Sequence, residues 1–174
     1  MSIEVSPVEK IKLTGQDLLD SFTEEYYFHY PDNVLHSKAL PAEEGKNPRN
    51  YYKDEDFETA LQLYLEQIQS NPNIAYINFY AAMSAYNVGE YDLAIKHFDR
   101  AQSKFPEDQY TLGTEYYEGL CYLRKGEVEK CKAQMNKYLA LGGSYKGRCA
   151  LLFQDLRLKW EPQQAKTDSI GSQP

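Results

Sequence analysis

Histidines and clustered acidic residues are the side chains of this chain best suited to chemistry. His29, His36 and His97 are far apart, and none lies beside a Cys or a carboxylate at metal-ligand spacing. The helical pattern places His97 on an exposed face, where we expect it to be solvated. The sequence contains no glycine-rich phosphate loop and no Gly-x-Ser-x-Gly elbow. We therefore expect a protein that is not an enzyme and that uses no cofactor and no metal.

The remaining reactive side chains have structural interpretations. Glu24-Glu25, Glu43-Glu44 and 54–56 are acidic runs that we interpret as charges at helix ends and in loops. Three cysteines, an odd number, cannot all pair, and we expect each to be a small buried apolar residue. Residues distant in sequence can still converge, so a pocket of His and carboxylates would restore the enzyme hypothesis.

The composition of the chain makes some classes of binding partner unfavourable. The chain has 174 residues and a net charge of −7, which disfavours nucleic acid and anionic membrane surfaces. No stretch reaches the roughly 20 apolar residues of a membrane span. No signal peptide is visible before Leu13, so we expect a cytoplasmic protein as the sequence stands. The chain also has 16 Tyr against one Trp, an excess that needs a structural explanation.

A pattern that recurs every 34 residues predicts the architecture. Ala60 and Ala94 lie 34 residues apart, as do Pro72 and Pro106, and a weaker third copy begins at Gly126. A period of this length is typical of helical solenoids. Such units stack and bury their apolar faces against their neighbours.

We expect one helical domain over residues 14–160. A first helix is predicted from Thr14, with Asp17 as its capping-box acid, to about Phe28. The predicted segments are a lead-in at 1–13, a loop at 31–50, repeats at 48–73, 74–107 and 112–143, a capping helix at 144–160, and a disordered tail at 161–174. An insertion near 107–112 accounts for the longer spacing before the third repeat, whose first helix is predicted from Thr114.

The repeat resembles the tetratricopeptide repeat (TPR). The residues that carry the resemblance are Ala82, Tyr86, Gly89, Tyr91, Ala94, Phe98, Ala101 and Pro106. It implies an all-α, right-handed helix-turn-helix solenoid of about three units, with an N-terminal helix and a C-terminal capping helix. It also implies a non-catalytic protein–protein interaction module, a scaffold or adaptor that binds a peptide or partner protein in the concave groove. The partner and the oligomeric state stay open.

In this family the first helix of each pair lines the groove. Carried over position by position, the partner-binding residues are Tyr52, Lys53, Tyr76, Phe79, Tyr80, Met83, Tyr86, Asn87, Tyr116, Tyr117, Leu120, Leu123 and Arg124. Tyr and Arg are common in binding hot spots. Alternatively the N-terminal helix, with its own aromatic residues, fills the groove and makes this wall internal core. Tyr80 and Tyr117 stand where the chaperone-tail subset of the family needs polar clamp residues, so we do not expect that ligand.

A narrower resemblance suggests a second function. The segments 18–22, 27–31 and 145–152 look like the soluble C-terminal domain of membrane-anchored repeat proteins of Bacteroidota. In those proteins a span precedes the aromatic-Tyr-Pro segment, and the domain faces the periplasm. The alternative is then an envelope structural or assembly domain that acts through its outer surface or through self-association. It requires a membrane anchor before Met1 and a periplasmic location.

Overall fold

The computed structural model describes residues 17, 20, 21, 23, 24, 46–104 and 109–159, and all regular secondary structure in these ranges is helical. The helices are α1 (Pro48–Lys53), α2 (Phe57–Ser70), α3 (Ala75–Asn87), α4 (Tyr91–Lys104), α5 (Gln109–Arg124), α6 (Val128–Ala140) and α7 (Lys146–Lys159). The predicted all-α class is therefore confirmed.

Local sequence signals explain where the first two of these helices begin. Pro48 opens α1, as predicted, because proline is tolerated in the first turn, where its missing N–H has no helical partner. Asp56 caps α2, and its Oδ1 accepts a hydrogen bond from the Thr59 N–H at 3.1 Å. Tyr64 and Ile68, four residues apart on one face of α2, are buried. Helix α2 thus starts at a capping residue and packs through one face.

The same type of turn ends α1, α3, α5 and α6, and in the first three cases it joins the two helices of a predicted pair. Glu55, Gly89 and Gly126 all have positive φ, at 60°, 85° and 75°. At the middle turn the Gly89 N–H donates to the Tyr86 carbonyl at 3.1 Å, and the other two turns form the equivalent bond at 3.2 and 2.9 Å. Positive φ suits glycine and strains other residues, so Glu55 departs from the pattern. The turns at Glu55 and Gly89 are 34 residues apart, the period of the sequence repeat, and those at Gly89 and Gly126 are 37 apart, as the longer spacing before the third repeat requires.

Packing follows the order of the chain. Each helix from α1 to α7 contacts the next one, and α3 also contacts α5. The central helix α3 is buried almost all round, because α2, α4 and α5 cover it. The end helix α7 has the fewest contacts with its neighbour. Contact between successive hairpins is the arrangement expected of stacked helical units.

Two predicted boundaries change. The first helix of the third pair begins at Gln109, five residues before the predicted Thr114. The segment before Thr114 contains no Pro, and its single Gly113 does not break the helix, so helical hydrogen bonding extends back to Gln109. The last helix spans Lys146–Lys159, close to the predicted 144–160, and Trp160 is outside the described residues.

The N-terminal helix predicted from Thr14 to Phe28 is described at five positions only. Residues 17, 20, 21, 23 and 24 are all helical. The predicted lead-in, most of the loop at 31–50 and the predicted tail lie outside the described residues.

Candidate binding surface

The structure divides the predicted groove residues by accessibility. Those that are buried are Tyr52, Phe79, Tyr80, Met83, Tyr86, Tyr116, Tyr117, Leu120 and Leu123. Tyr76, Asn87 and Arg124 are half-buried, and Lys53 is exposed. We call these last four the rim residues. In this conformation they are the predicted groove positions that solvent, and hence a partner, reaches.

The buried aromatic residues form a continuous series of ring contacts, which we call the aromatic spine. Its members, in order of contact, are Tyr52, Tyr80, Phe79, Phe98, Tyr117, Tyr116 and Tyr138. Successive ring centroids are 5.0 to 6.4 Å apart, mostly edge to face, within the range of favourable aromatic pairs. The spine runs from α1 to α6 and gives much of the tyrosine excess a structural role.

Arg124 connects the end of α5 to the N-terminal segment. Its guanidinium nitrogens lie 3.2 Å from an Asp20 carboxylate oxygen and 3.9 Å from one of Glu24. Asp20 and Glu24 are four residues apart in helical conformation, so both carboxylates lie on one helix face. One rim residue therefore holds two acidic side chains of this chain's own helix.

Thr23, on the same helical segment, is completely buried. At this position the segment packs against the rest of the molecule. The alternative in which the N-terminal helix fills the groove depends on its aromatic residues Phe22, Tyr26, Tyr27 and Phe28, which lie outside the described residues. That alternative stays a prediction, as does partner binding by the groove.

His97 corrects a prediction, because it is buried and not solvated. Only 2 % of it is exposed, and its Nδ1 lies 3.0 Å from Asn78 Oδ1. The amide nitrogen of Asn78 donates to the Pro72 and Ile74 carbonyls at 3.0 Å, so its oxygen faces His97 and Nδ1 is the donor. Burial lowers the pKa of His97 to about 4, and Arg100 and Lys96 act in the same direction. The pair joins α3 to α4.

The spacing of α4 explains the error. Ala94, Phe98 and Ala101 are buried, and His97 lies three residues after Ala94 and four before Ala101. His97 is thus on the inner face by helical periodicity. Residue type alone favours an exposed histidine, whereas its helical position requires a buried one.

A pair of buried carboxylates on α5 was not singled out from the sequence. Glu115 is satisfied: one oxygen accepts from the Gln102 side chain, and the other accepts from Gln134 Nε2 at 2.9 Å. These bonds connect α5 to α4 and to α6. The sequence does contain an indication of this pair, because Glu115 and Glu118 are the charged residues within the otherwise uncharged stretch 109–123 of α5.

Glu118 differs from Glu115 because one of its oxygens, Oε2, has no hydrogen-bond partner among the described residues. The side chain is buried and hydrogen-bonded to Tyr122. Burial, together with the nearby Asp99 and Glu115, raises the pKa of Glu118 to about 7, while Lys137 and a hydrogen bond with Tyr122 act in the opposite direction. Glu118 therefore titrates near neutral pH.

The cysteines are free and buried, as predicted. Burial raises the pKa of the Cys131 thiol to about 12 and that of Cys149 to about 11, and it also raises the pKa of Cys121. The Cys149 sulfur lies 3.8 Å from the Met135 sulfur. These thiols are protonated at neutral pH and act as apolar packing groups.

Within the described ranges, no cluster of three or more His, Cys, Asp or Glu residues has the arrangement of a metal site. None of the described helices combines the length and the apolar character that crossing a bilayer requires.

No protein-family model and no curated protein matches this chain.

Proposed function

We propose that this chain is a TPR-type protein-interaction module that binds a peptide or partner protein on its concave surface, without catalysis. The observation that carries the proposal is the turn repeated at residues 55, 89 and 126, with the same positive φ and equivalent hydrogen bonds. Three like turns in a chain of sequentially packed helices are what a stack of about three TPR units requires. Such stacks bind other polypeptides along the face formed by the first helix of each pair.

The rim residues supply the contact chemistry of the proposed surface. Tyr76 and Asn87 are on α3, Lys53 ends α1 and Arg124 ends α5. In the TPR arrangement these three helices share the concave face. An amphipathic Tyr, an amide and two cations suit a polar peptide with acidic side chains. The buried aromatic spine behind them would hold this surface rigid, which lowers the entropy lost on binding.

The contact of Arg124 with the N-terminal segment supports an acidic helical ligand. Asp20 and Glu24 reach it from successive turns of one helix. A partner helix with carboxylates at positions i and i+4 would satisfy the same guanidinium. We therefore propose that such a partner competes with the N-terminal segment for Arg124.

A peptide-display selection on the whole chain tests the proposal without a known partner. The peptides it enriches are then titrated against three proteins: wild type, the rim variant Lys53→Ala/Tyr76→Ala/Asn87→Ala, and the control Glu129→Lys. Lys53 is exposed, Tyr76 and Asn87 are half-buried, and Glu129 is exposed on α6. Tyr80 and Tyr117 are unsuitable for this purpose, because truncating a fully buried aromatic residue changes stability as well as contact.

We expect the rim variant to bind at least about tenfold more weakly than wild type, which corresponds to about 1.4 kcal/mol. The control should bind as wild type does. Enriched peptides should also carry acidic residues four apart. Selected peptides that bind the rim variant and wild type equally would reject the concave surface as the binding site.

A further inference from the structure

The outer side of α2 carries an open groove of about 490 Å³ that the proposed concave surface does not use. Its apolar residues are Leu61, Leu65 and Val88, and its polar border includes Glu58 and Glu66. Both glutamates are exposed, while both leucines are only half-buried. The groove therefore combines incompletely covered apolar area with negative charge.

The opposite end of the chain carries a surface of complementary character. Leu151 on α7 is 55 % exposed, the largest value for a large apolar side chain in the described ranges. Ala150 beside it is exposed, and a Cβ at Gly147 would meet no atom within 4 Å, so the backbone of α7 is open to close approach. Lys146 and Arg157, near the two ends of α7, are also exposed. No ion pair involves either of them within the described residues.

We propose that the exposed face of α7 docks in the α2 groove of a second copy of this chain, with Leu151 on the apolar floor. Lys146 and Arg157 then lie opposite Glu58 and Glu66. The spans agree: eight residues separate the glutamates, about 12 Å of helix, and eleven separate the cations, about 16 Å. Long Lys and Arg side chains accommodate the difference.

Local charge decides this contact more than the net charge of −7 does. At physiological salt, exposed charges more than about 8 Å apart are largely screened. The nearby pairs of opposite sign are not, so they orient the two copies. Leu151 supplies the apolar area removed from water.

The two surfaces differ, so the contact is head to tail and does not close on itself as a two-fold dimer does. Each added copy leaves one groove and one α7 face available. One helix in one shallow groove buries less area than a stable interface, so we expect weak association, with a Kd of about 0.1 to 1 mM. The contact uses the outer surface and is independent of peptide binding on the concave face.

A charge-reversal pair tests the contact. The groove variant is Glu58→Lys/Glu66→Lys, and the helix variant is Lys146→Glu/Arg157→Glu. Every substituted side chain is exposed, so both variants should melt as wild type does. Glu129→Lys is again the control, and Leu151→Ser removes the apolar contact without changing charge. Sedimentation velocity between about 10 µM and about 1 mM measures the association of each protein, using the range expected for a weak contact.

Wild type and the control should form dimers and larger species as concentration rises. Each charge variant alone should self-associate at least about tenfold more weakly than wild type, because like charges then face each other. An equimolar mixture of the two charge variants should associate again, since each groove then meets a helix of opposite charge. Leu151→Ser should also weaken association. A wild type that is monomeric at about 1 mM, or a mixture that does not associate, would overturn the proposal.

Discussion

The hairpins α3–α4 and α5–α6 both bury ionisable side chains, and the environments of His97 and Glu118 have opposite effects. His97 in the first hairpin is neutral and bonded to Asn78, which is itself held by two backbone carbonyls. Glu118 in the second has an oxygen with no hydrogen-bond partner among the described residues, and it lies near two other carboxylates. The first arrangement stabilises a junction between helices. The second contains a carboxyl group whose pKa is close to neutral pH.

This difference separates structural polar groups from groups that can respond to solution conditions. A satisfied buried polar group adds specificity at little cost, whereas an unsatisfied one costs about 1–3 kcal/mol. The hairpins resemble each other in their turns and in their aromatic contacts. Any difference in their pH response should therefore come from His97 and Glu118.

The largest effect should be shared by both hairpins. Tyr80 and Tyr117 are fully buried members of the aromatic spine. Tyr80→Ala and Tyr117→Ala should each lower the free energy of unfolding by about 4 kcal/mol, as expected for removal of a buried aromatic side chain. Urea denaturation measures the loss. The control Tyr76→Ala removes a half-buried ring from α3 and should cost less. A small loss for Tyr80 would mean that its hairpin is not the core we describe.

The next effect should appear only in the first hairpin, as the pH falls. The pKa of His97 is about 4 in the folded chain and 6.5 ordinarily, so below pH 6.5 the unfolded chain binds a proton that the folded chain does not. The contribution of His97 to the free energy of unfolding is fully present above pH 6.5 and is lost as the pH falls through 4. We expect a loss of about 2 kcal/mol, less than the full pKa shift gives, because solvent screens the exposed Lys96 and Arg100.

His97→Asn checks this effect, since it retains a side-chain N–H for Asn78 and does not titrate in this range. The difference in unfolding free energy between variant and wild type should change with pH between 6.5 and 4. A difference that is constant across this window would contradict the buried neutral histidine.

The second hairpin should respond in the opposite direction. The pKa of Glu118 is about 7 when folded and 4.5 ordinarily, so the folded chain keeps a proton that the unfolded chain releases between these values. Stability from this group is therefore lost as the pH rises from 4.5 through 7. Glu118→Gln should be about 1.5 kcal/mol more stable than wild type at pH 8 and nearly equal to it at pH 4.5.

Denaturation series at several pH values test the Glu118 effect, with Glu129→Gln as a matched control on an exposed site. In wild type the His97 and Glu118 trends oppose each other between pH 4.5 and 6.5 and partly cancel. The two single variants should therefore tilt the profile in opposite directions. A Glu118→Gln profile parallel to that of wild type would show that this carboxyl is not held protonated.

The smallest effect concerns the turn of the α1–α2 pair. Glu55 has a φ of 60°, where the other two turns have glycine. Glu55→Gly should raise the free energy of unfolding by about 0.5–1 kcal/mol, because it relieves left-handed strain in the folded chain. Gly89→Ala at the equivalent turn is the converse: its Cβ would meet no atom within 4 Å, so no steric contact adds to the cost of backbone strain. A destabilised Glu55→Gly would mean that Glu55 makes a compensating contact.

The sequence predicts the helices and turns well, because apolar periodicity and glycine spacing are local signals. Gly89 and Gly126 indicate their turns directly, whereas the turn at Glu55 contains no glycine and lies in the acidic run 54–56. Burial is a tertiary property, so spacing alone did not show that Tyr80 and Tyr117 are inaccessible while Tyr76 is not. The prediction for His97 is wrong because its polarity favours exposure, while its helical position is on the buried face. Glu118 was missed because a carboxylate inside a helix is usually solvated.

The most direct test of the central claim is hydrogen exchange of the whole chain, with and without a peptide selected on it. The proposed concave surface belongs to α1, α3 and α5, and its partner should slow amide exchange in these helices, most at their C-terminal ends near Lys53, Asn87 and Arg124. Exchange in the N-terminal segment around Asp20 should become faster, because the peptide replaces its contact with Arg124. Slowing confined to α2, α4 and α6 would contradict the account.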